Sequence, residues 1–174
     1  MINVGINGFG RIGRTLFRML VNHPQIRVVA VNDVADAATM AHLLKYDSIH
    51  GIFDGTIAAT ATGLEVNGQT VRYTQHRTPK EVDWKAAGAE IIVEASGRFK
   101  TPEELHAHIE GGARKVILTA PSETDRIKTV VLGVNDHALD GSENILSNAS
   151  CTTNNAAPML QIIDELCGIE QAYI

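Results

Sequence analysis

Short apolar runs rich in β-branched residues alternate with stretches whose apolar residues recur at helical spacing, and this alternation predicts most of the elements. Ile2 to Asn7 reads as a strand, followed by Gly8-Phe9-Gly10-Arg11-Ile12-Gly13. Leu16, Phe17, Leu20 and Val21 then mark one face of a helix that Pro24 closes. Val28 to Val31 is a second strand ending at Asn32-Asp33, and Asp36 to Tyr46 a second helix with Ala37, Met40, Ala41 and Leu44 on its apolar side. The middle breaks the rhythm. Thr56 to Ala61 and Val66 to Thr74 are β-rich, interrupted by Gly63 and by Asn67-Gly68, a strong hairpin signal. This stretch is expected to be a small antiparallel excursion.

The alternation then resumes. Thr78-Pro79-Lys80-Glu81 and Thr101-Pro102-Glu103-Glu104 each have the form of a helix start, with Thr as cap, Pro first and Glu three past the cap. Ile91 to Val93, Val116 to Leu118, Val130 to Leu132 and Asn144 to Leu146 read as strands. Near-continuous apolar strands separated by helices argue for parallel pairing covered on both faces. With right-handed crossovers this gives an α/β fold of Rossmann type: a doubly wound, mostly parallel sheet with a small antiparallel insertion. No repeat, low-complexity tract or linker interrupts it. Ile169 to Ile174 begins to read as a further strand, and a strand with no partner or cap is expected to belong to something longer.

The 174 residues are 44% hydrophobic and 20% charged, a globular composition with room for one ordinary domain. The formal net charge of −5 argues against a dominant nucleic-acid or anionic-membrane surface. No apolar run reaches the roughly 20 residues of a membrane span, and the first residues carry no signal peptide. Two cysteines are too few for a disulfide framework, which fits a reducing, cytoplasmic setting. No cysteine/histidine cluster has zinc-ligand spacing. None of the seven histidines has a convincing claim as a base: His106 and His108 face different ways on a helix and make a poor metal pair, and the others lie near loops or helix ends, where they are most simply solvated.

Gly8-x-Gly10-x-x-Gly13 is a weak pattern alone, but here it joins a strand to a helix. In that context the first glycine allows a tight turn, the second lets backbone approach a pyrophosphate, and the third lets helix pack on strand. The helix N-terminus adds free N–H donors and partial positive charge. Asp33 stands about twenty residues past Gly13, at the end of the second strand, where a carboxylate accepts from an adenosine ribose and repels a 2′-phosphate. NAD is therefore favoured over NADP. The plainer alternative is a tight βα turn in which Asp33 only caps the next helix.

Ser147-Asn148-Ala149-Ser150-Cys151-Thr152-Thr153-Asn154 suggests a second site. With Asn148 as cap, Cys151 falls in the first turn of a helix, whose positive end stabilises a thiolate. Beside a nicotinamide, a thiolate suggests addition to an aldehyde, hydride transfer and a thioester. Ser150 and Thr152 are placed to donate to substrate oxygens. A cysteine is as often a small buried hydrophobe, and that is the expectation for Cys167. Pro158 is expected to kink this helix or to free a carbonyl.

Ile6 to Arg14, Val31-Asn32-Asp33, His42 to Ser48 and Ser147 to Asn154 together resemble phosphorylating glyceraldehyde-3-phosphate dehydrogenase, in order and along the whole chain. The resemblance implies NAD as cofactor, with Asn7, Gly8, Gly10, Arg11 and Ile12 at its pyrophosphate, Asp33 at the ribose and Arg77 near the adenine. Ser96 (where the family more often has Thr) and Gly97 pass along the cofactor, and Thr119 lies toward the nicotinamide. Cys151 is the implied nucleophile, with Ser150 and Thr152 as substrate-binding neighbours. Asn155 stands where the family commonly has a second cysteine. The implied partners are glyceraldehyde 3-phosphate and inorganic phosphate, and the implied assembly is a homotetramer. The family chain is about twice as long, so residues 1–150 read as the NAD-binding domain. Residues 151–174 read as the opening of a catalytic domain, its helix and first strand, with the remainder and its base histidine missing from this chain. Two alternatives stay open: an erythrose-4-phosphate dehydrogenase, which Ala35 to Ala38 resembles, and a free-standing NAD-binding module without catalysis.

Overall fold

The computed structural model describes residues 1–173. The chain order is β1 (Ile2–Asn7), α1 (Arg11–Leu20), β2 (Ile26–Asn32), α2 (Ala37–Lys45), β3 (Tyr46–Asp47), β4 (Gly51–Ile52), β5 (Ile57–Ala59), β6 (Gly63–Val66) and β7 (Gln69–Thr74). It continues with β8 (Ile91–Glu94), α3 (Pro102–Glu110), β9 (Lys115–Leu118), β10 (Lys128–Thr129), β11 (Ile145–Ser147) and α4 (Cys151–Cys167). Nine strands form one sheet in the order β10-β11-β9-β8-β1-β2-β7-β6-β5, and β3 and β4 pair separately. Pairing is parallel from β10 to β7 and antiparallel through β7, β6 and β5. The antiparallel excursion is therefore a meander at one border. Its Asn67-Gly68 turn has φ of 52° and 75°, both left-handed, as a two-residue hairpin requires.

The two faces of the central strands bury different clusters. Val4 and Ile6 of β1, with Val28, Val31 and Val93, pack against Phe9 and Phe17 of the α1 side and Met40 and Leu44 of α2. Phe9 and Phe17 meet edge to face at 5.5 Å, worth about 0.5–1.5 kcal/mol beyond their buried area. Ala30 and Ile92, on the other face, meet Val82, Trp84, Ala89 and Ala113. Alternation along β1 and β8 accounts for the split, whereas on β2 the extra residue Val29 puts Val29 and Ala30 on one face between Val28 and Val31 on the other. The β1–β2 register slips between Val4 and Gly5, so Gly5 pairs with Ala30. A Cβ on Gly5 would lie 2.7 Å from Ile92 and 2.8 Å from the Trp84 ring, so the bare backbone there admits the indole. Leu105, Val116, Leu118 and Ile127 fill a third cluster under α3.

Three expected elements differ. The Thr78 capping box forms, but only a single 3₁₀ turn over Pro79–Glu81 follows it. Val82 leaves in an extended conformation, so that Val82 and Trp84 both reach the core. Val130 to Leu132 is not a strand; pairing with β11 ends at Thr129, and only Val131 turns inward while Leu132 is exposed. Residues 169–173 form no strand, and Ile174 lies outside the described residues. Among the described residues no helix is long and apolar enough to cross a membrane.

Candidate functional site

Parallel strands point their carboxyl ends to one edge of a sheet, and β1, β2, β8, β9 and β11 all deliver candidate residues there. After β1 come Gly8 and Gly10, after β2 Asp33, after β8 Ser96, after β9 Thr119 and after β11 Ser150 and Cys151. The chain winds from β1 to β2 on one side and returns through β8 on the other. The gap between β1 and β8 is thus the switch point at which open α/β sheets leave a crevice. A solvent-open cleft occupies it, lined by Asn7, Gly8, Gly10, Asp33, Arg77 and Ser96 together with Asn32, Val34, His76, Arg98 and Phe99.

The three glycines are required for different reasons. Gly8 has φ of +91°, and a Cβ there would strike the Ser96 backbone. A Cβ on Gly13 would strike the Gly8 carbonyl, so this glycine brings α1 against the loop. Gly10 is unlike both: a Cβ there would meet nothing within 4 Å. The protein's own packing explains Gly8 and Gly13, whereas Gly10 keeps backbone bare toward open space. Gly10 also caps α1 without any side-chain hydrogen bond, whereas Asp36, Thr101 and Ser150 each cap their helices with an oxygen. The first N–H groups of α1 are consequently free for an anion. A loop that presents bare amides over a cleft, beside a carboxylate at the end of the next strand, fits the diphosphate and ribose of a dinucleotide.

Asp33 is already engaged on its far side. One carboxylate oxygen accepts from Phe9 N–H at 2.6 Å and the other from Ala35 N–H at 3.0 Å. It does not cap α2, since Asp36 does so through Thr39 N–H at 2.8 Å. Tyr73 donates its hydroxyl to the Ala35 carbonyl at 2.8 Å. Burial, then the charges of Asp33 and Asp36, push that hydroxyl well above the ordinary tyrosine range. Arg77 and Arg98 are exposed and contribute positive charge to the cleft lining. Arg11 and Ile12 lie in the first turn of α1, both exposed and just beyond the cleft's lining. Thr119 donates its N–H and its hydroxyl to the Glu94 carbonyl, each at 3.0 Å, which fixes it beside the end of β8.

Cys151 is the first residue of α4 and is exposed. The cap is Ser150, not Asn148: the Ser150 hydroxyl oxygen accepts from Thr153 N–H at 3.0 Å. Ala149 takes a φ of +57°, while Asn148 still donates its N–H to the Leu118 carbonyl in continuation of β11. The left-handed Ala149 delays the helix by two residues and sets Cys151 at its very tip. Thr152 is exposed, with its hydroxyl 2.9 Å from that of Ser150. α4 runs on through Pro158, whose missing N–H leaves the Asn154 carbonyl without its helical donor. Cys167 is exposed rather than buried, and α4 has no buried residue; Met159, Ile162, Ile163 and Leu166 present apolar surface to solvent. The helical pattern around Cys167 is real, but nothing among the described residues packs on it.

The family described as glyceraldehyde 3-phosphate dehydrogenase, NAD binding domain, has a sequence model that matches residues 2–102. The chain belongs to the glyceraldehyde-3-phosphate dehydrogenase family. The matched segment contains the glycine loop, Asp33, Arg77 and Ser96. The glyceraldehyde-3-phosphate dehydrogenase of Claviceps purpurea is 52% identical over 165 residues, covering 94% of this chain and 48% of that relative. The cytosolic enzyme of Leishmania mexicana is 48% identical over 174 residues, covering 100% of this chain and 52% of the relative. That of Geobacillus stearothermophilus is 47% identical over 169 residues, covering 97% and 50%. The chain spans about half the length of these curated relatives.

The residues that sequence reasoning missed are Asn32, His76 and Arg98 in the cleft and Glu94 and His108 beneath it. His108 had a legible signal. It follows Leu105 by three residues on α3, the side that turns inward.

Proposed function

We propose that this chain binds NAD across the β1–β8 cleft and supplies the nucleophile of a phosphorylating glyceraldehyde-3-phosphate dehydrogenase. In this reading Asn7, Gly8, Gly10, Arg11 and Ile12 hold the diphosphate, Asp33 the adenosine ribose, Arg77 the adenine side, and Ser96 and Thr119 the path to the nicotinamide. Residues 1–150 are the NAD-binding domain, and residues 151–174 open a catalytic domain for which the bare apolar side of α4 is the packing surface.

When bound, NAD accepts a hydride. The Cys151 thiolate adds to the aldehyde carbon of D-glyceraldehyde 3-phosphate, and the adduct's oxygen carries the new charge. Loss of hydride from that carbon lets the charged oxygen re-form its carbonyl and gives a thioester on Cys151, with no proton left to remove. Inorganic phosphate then attacks the thioester carbon, releasing 1,3-bisphosphoglycerate and restoring the thiolate. Ser150 and Thr152 donate to substrate oxygens. The same reading carries a glycolytic role, a cytoplasmic location and a homotetramer.

The observation that carries it is Gly10: its open surroundings are unexplained by the protein's own packing and match a ligand's approach. Calorimetric titration of the chain with NAD and NADP tests it. NAD is expected to bind and NADP to bind more weakly; equal affinities, or no NAD binding, overturn the assignment. For the chemistry, a protein of the family's full length should form NADH from glyceraldehyde 3-phosphate only when phosphate is present. Preference for erythrose 4-phosphate would replace the substrate.

A further inference from the structure

Beneath the cleft, a chain of buried polar side chains crosses neighbouring strands, and from both sides its hydrogen bonds lead toward one carboxylate, apart from a second Asn32 Nδ2 bond to the His76 carbonyl at 3.1 Å. The Trp84 indole N–H can only donate, and it meets Nδ1 of His108 at 2.9 Å. Nδ1 therefore accepts, the ring carries its proton on Nε2, and Nε2 donates to Glu94 Oε2 at 2.9 Å. From the other side Asn7 Nδ2 donates to the same oxygen at 2.5 Å, while Asn7 Oδ1 accepts from Asn32 Nδ2 at 2.8 Å. Asn32 Oδ1 accepts from the Thr74 hydroxyl at 2.8 Å and from His76 N–H at 2.9 Å. Glu94 Oε1 accepts the N–H and the hydroxyl of Ser96 at 2.8 and 2.5 Å. Glu94 and His108 have no exposed surface.

We propose that Glu94 is the positioning residue of the cleft: with His108 held by Trp84 as its Nε2–H form, it fixes the Asn7 amide and the Ser96 backbone that line the site. The proposal deepens the reading of the cleft as a dinucleotide site and rests on it. A buried carboxylate is tolerated only when donors surround it, and here four donors do so from β1, the turn after β8, and α3. The carboxylate also removes an ambiguity. An Asn amide has interchangeable ends until its neighbours choose; Glu94 sets the direction of Asn7, and the His76 backbone sets that of Asn32 in the same sense. Bonds polarised in series strengthen one another, so the loss of one donor is felt along the row. Glu94, His108 and Trp84 do not line the cleft themselves and act through Asn7 and Ser96.

Two substitutions in the 174-residue chain separate the two ends of the His108 ring. His108→Gln retains a donor near the Nε2 position and removes the acceptor for Trp84. His108→Asn does the reverse. The expectation is that His108→Gln binds NAD within about threefold of the parent while the emission of Trp84, the chain's single tryptophan, shifts. His108→Asn should retain that emission, weaken NAD binding roughly tenfold or more, and speed hydrogen exchange at the Ser96 amide. If both variants lose NAD binding alike, in step with lost thermal stability, the residue only fills the core and the proposal falls. Should either variant fail to fold, nitrogen-resolved NMR of the unaltered chain decides: a proton on Nε2 and a bare Nδ1 support the proposal, and a protonated Nδ1 overturns it. Ser96 exchange and the ring's proton need no cofactor. A chain with both as expected that nonetheless ignores NAD would overturn the dinucleotide reading and leave the positioning of Asn7 and Ser96 standing.

Discussion

The backbone N–H of Phe9 donates to a carboxylate oxygen of Asp33 across 2.6 Å, which ties the middle of the glycine loop to the end of β2. The group expected to take the ribose is thus also a brace for the loop expected to take the diphosphate. Asp33→Ala should weaken NAD binding by roughly 10- to 100-fold, the range for lost hydrogen bonds to a charged group. The preference for NAD over NADP should collapse as well, because the charge facing a 2′-phosphate is gone. Titration of parent and variant with both dinucleotides reads this directly. An unaltered NAD affinity removes Asp33 from the site.

Gly10 and Gly13 should separate binding from folding. Gly13→Ala drives a Cβ into the Gly8 carbonyl and should destabilise the chain by about 1–3 kcal/mol, seen as a lower thermal midpoint. Gly10→Ala meets no atom, has an ordinary φ of −69°, and should shift stability by less than about 1 kcal/mol. Its NAD affinity should nevertheless fall, since the new methyl stands where the diphosphate approaches. A Gly10→Ala chain that binds NAD like the parent would place the ligand elsewhere.

Cys151 and Cys167 occupy opposite ends of α4, and both are exposed. Accessibility therefore does not separate them, whereas the helix end does: its first turn favours an anion and its last turn disfavours one. Iodoacetamide should alkylate Cys151 faster than Cys167, as read by peptide mass spectrometry over time. Equal rates would remove the argument that the helix terminus activates the sulfur.

Acid should loosen the chain through its helix caps. Backbone N–H groups hold the carboxyls of Asp36, Glu81 and Glu104 below their ordinary values: Thr39 for Asp36, Thr78 for Glu81, and Thr101 then Lys100 for Glu104. A depressed carboxyl contributes stability that is present above its unfolded value near pH 4 and lost as pH falls through the folded one. Urea unfolding from neutral pH downward should show that loss, and Glu104→Gln should flatten it. At the alkaline end Tyr73 acts in the other sense. Its raised hydroxyl contributes stability that is intact below the ordinary tyrosine value near 10 and is lost as pH climbs past it. An acid limb as steep in Glu104→Gln as in the parent would dismiss the α3 cap as a source.

Much of this molecule was readable because local signals and tertiary demands agree. Asn67-Gly68 requires two left-handed residues and obtains them, Thr101 to Glu104 caps a helix that has an apolar side to bury, and the apolar runs from Ile2 and Val28 become central parallel strands. The misreadings arise where a distant contact overrides a local signal. Thr78 starts a helix well, but the core claims Val82 and Trp84 and the turn stops at Glu81. Asn148 is a good cap by type, yet its N–H is still bound to Leu118, and Ser150 takes the role. Glu94 ends an apolar run as a polar residue, which marks the edge of a strand but not the donors from elements far along the chain that converge on it.

The short outermost strands have one more effect. The broad sheet narrows to three residues in β5 at one border and two in β10 at the other. So little unpaired backbone gives a passing molecule hardly any ladder to extend, and uncontrolled strand-on-strand growth is starved at both rims.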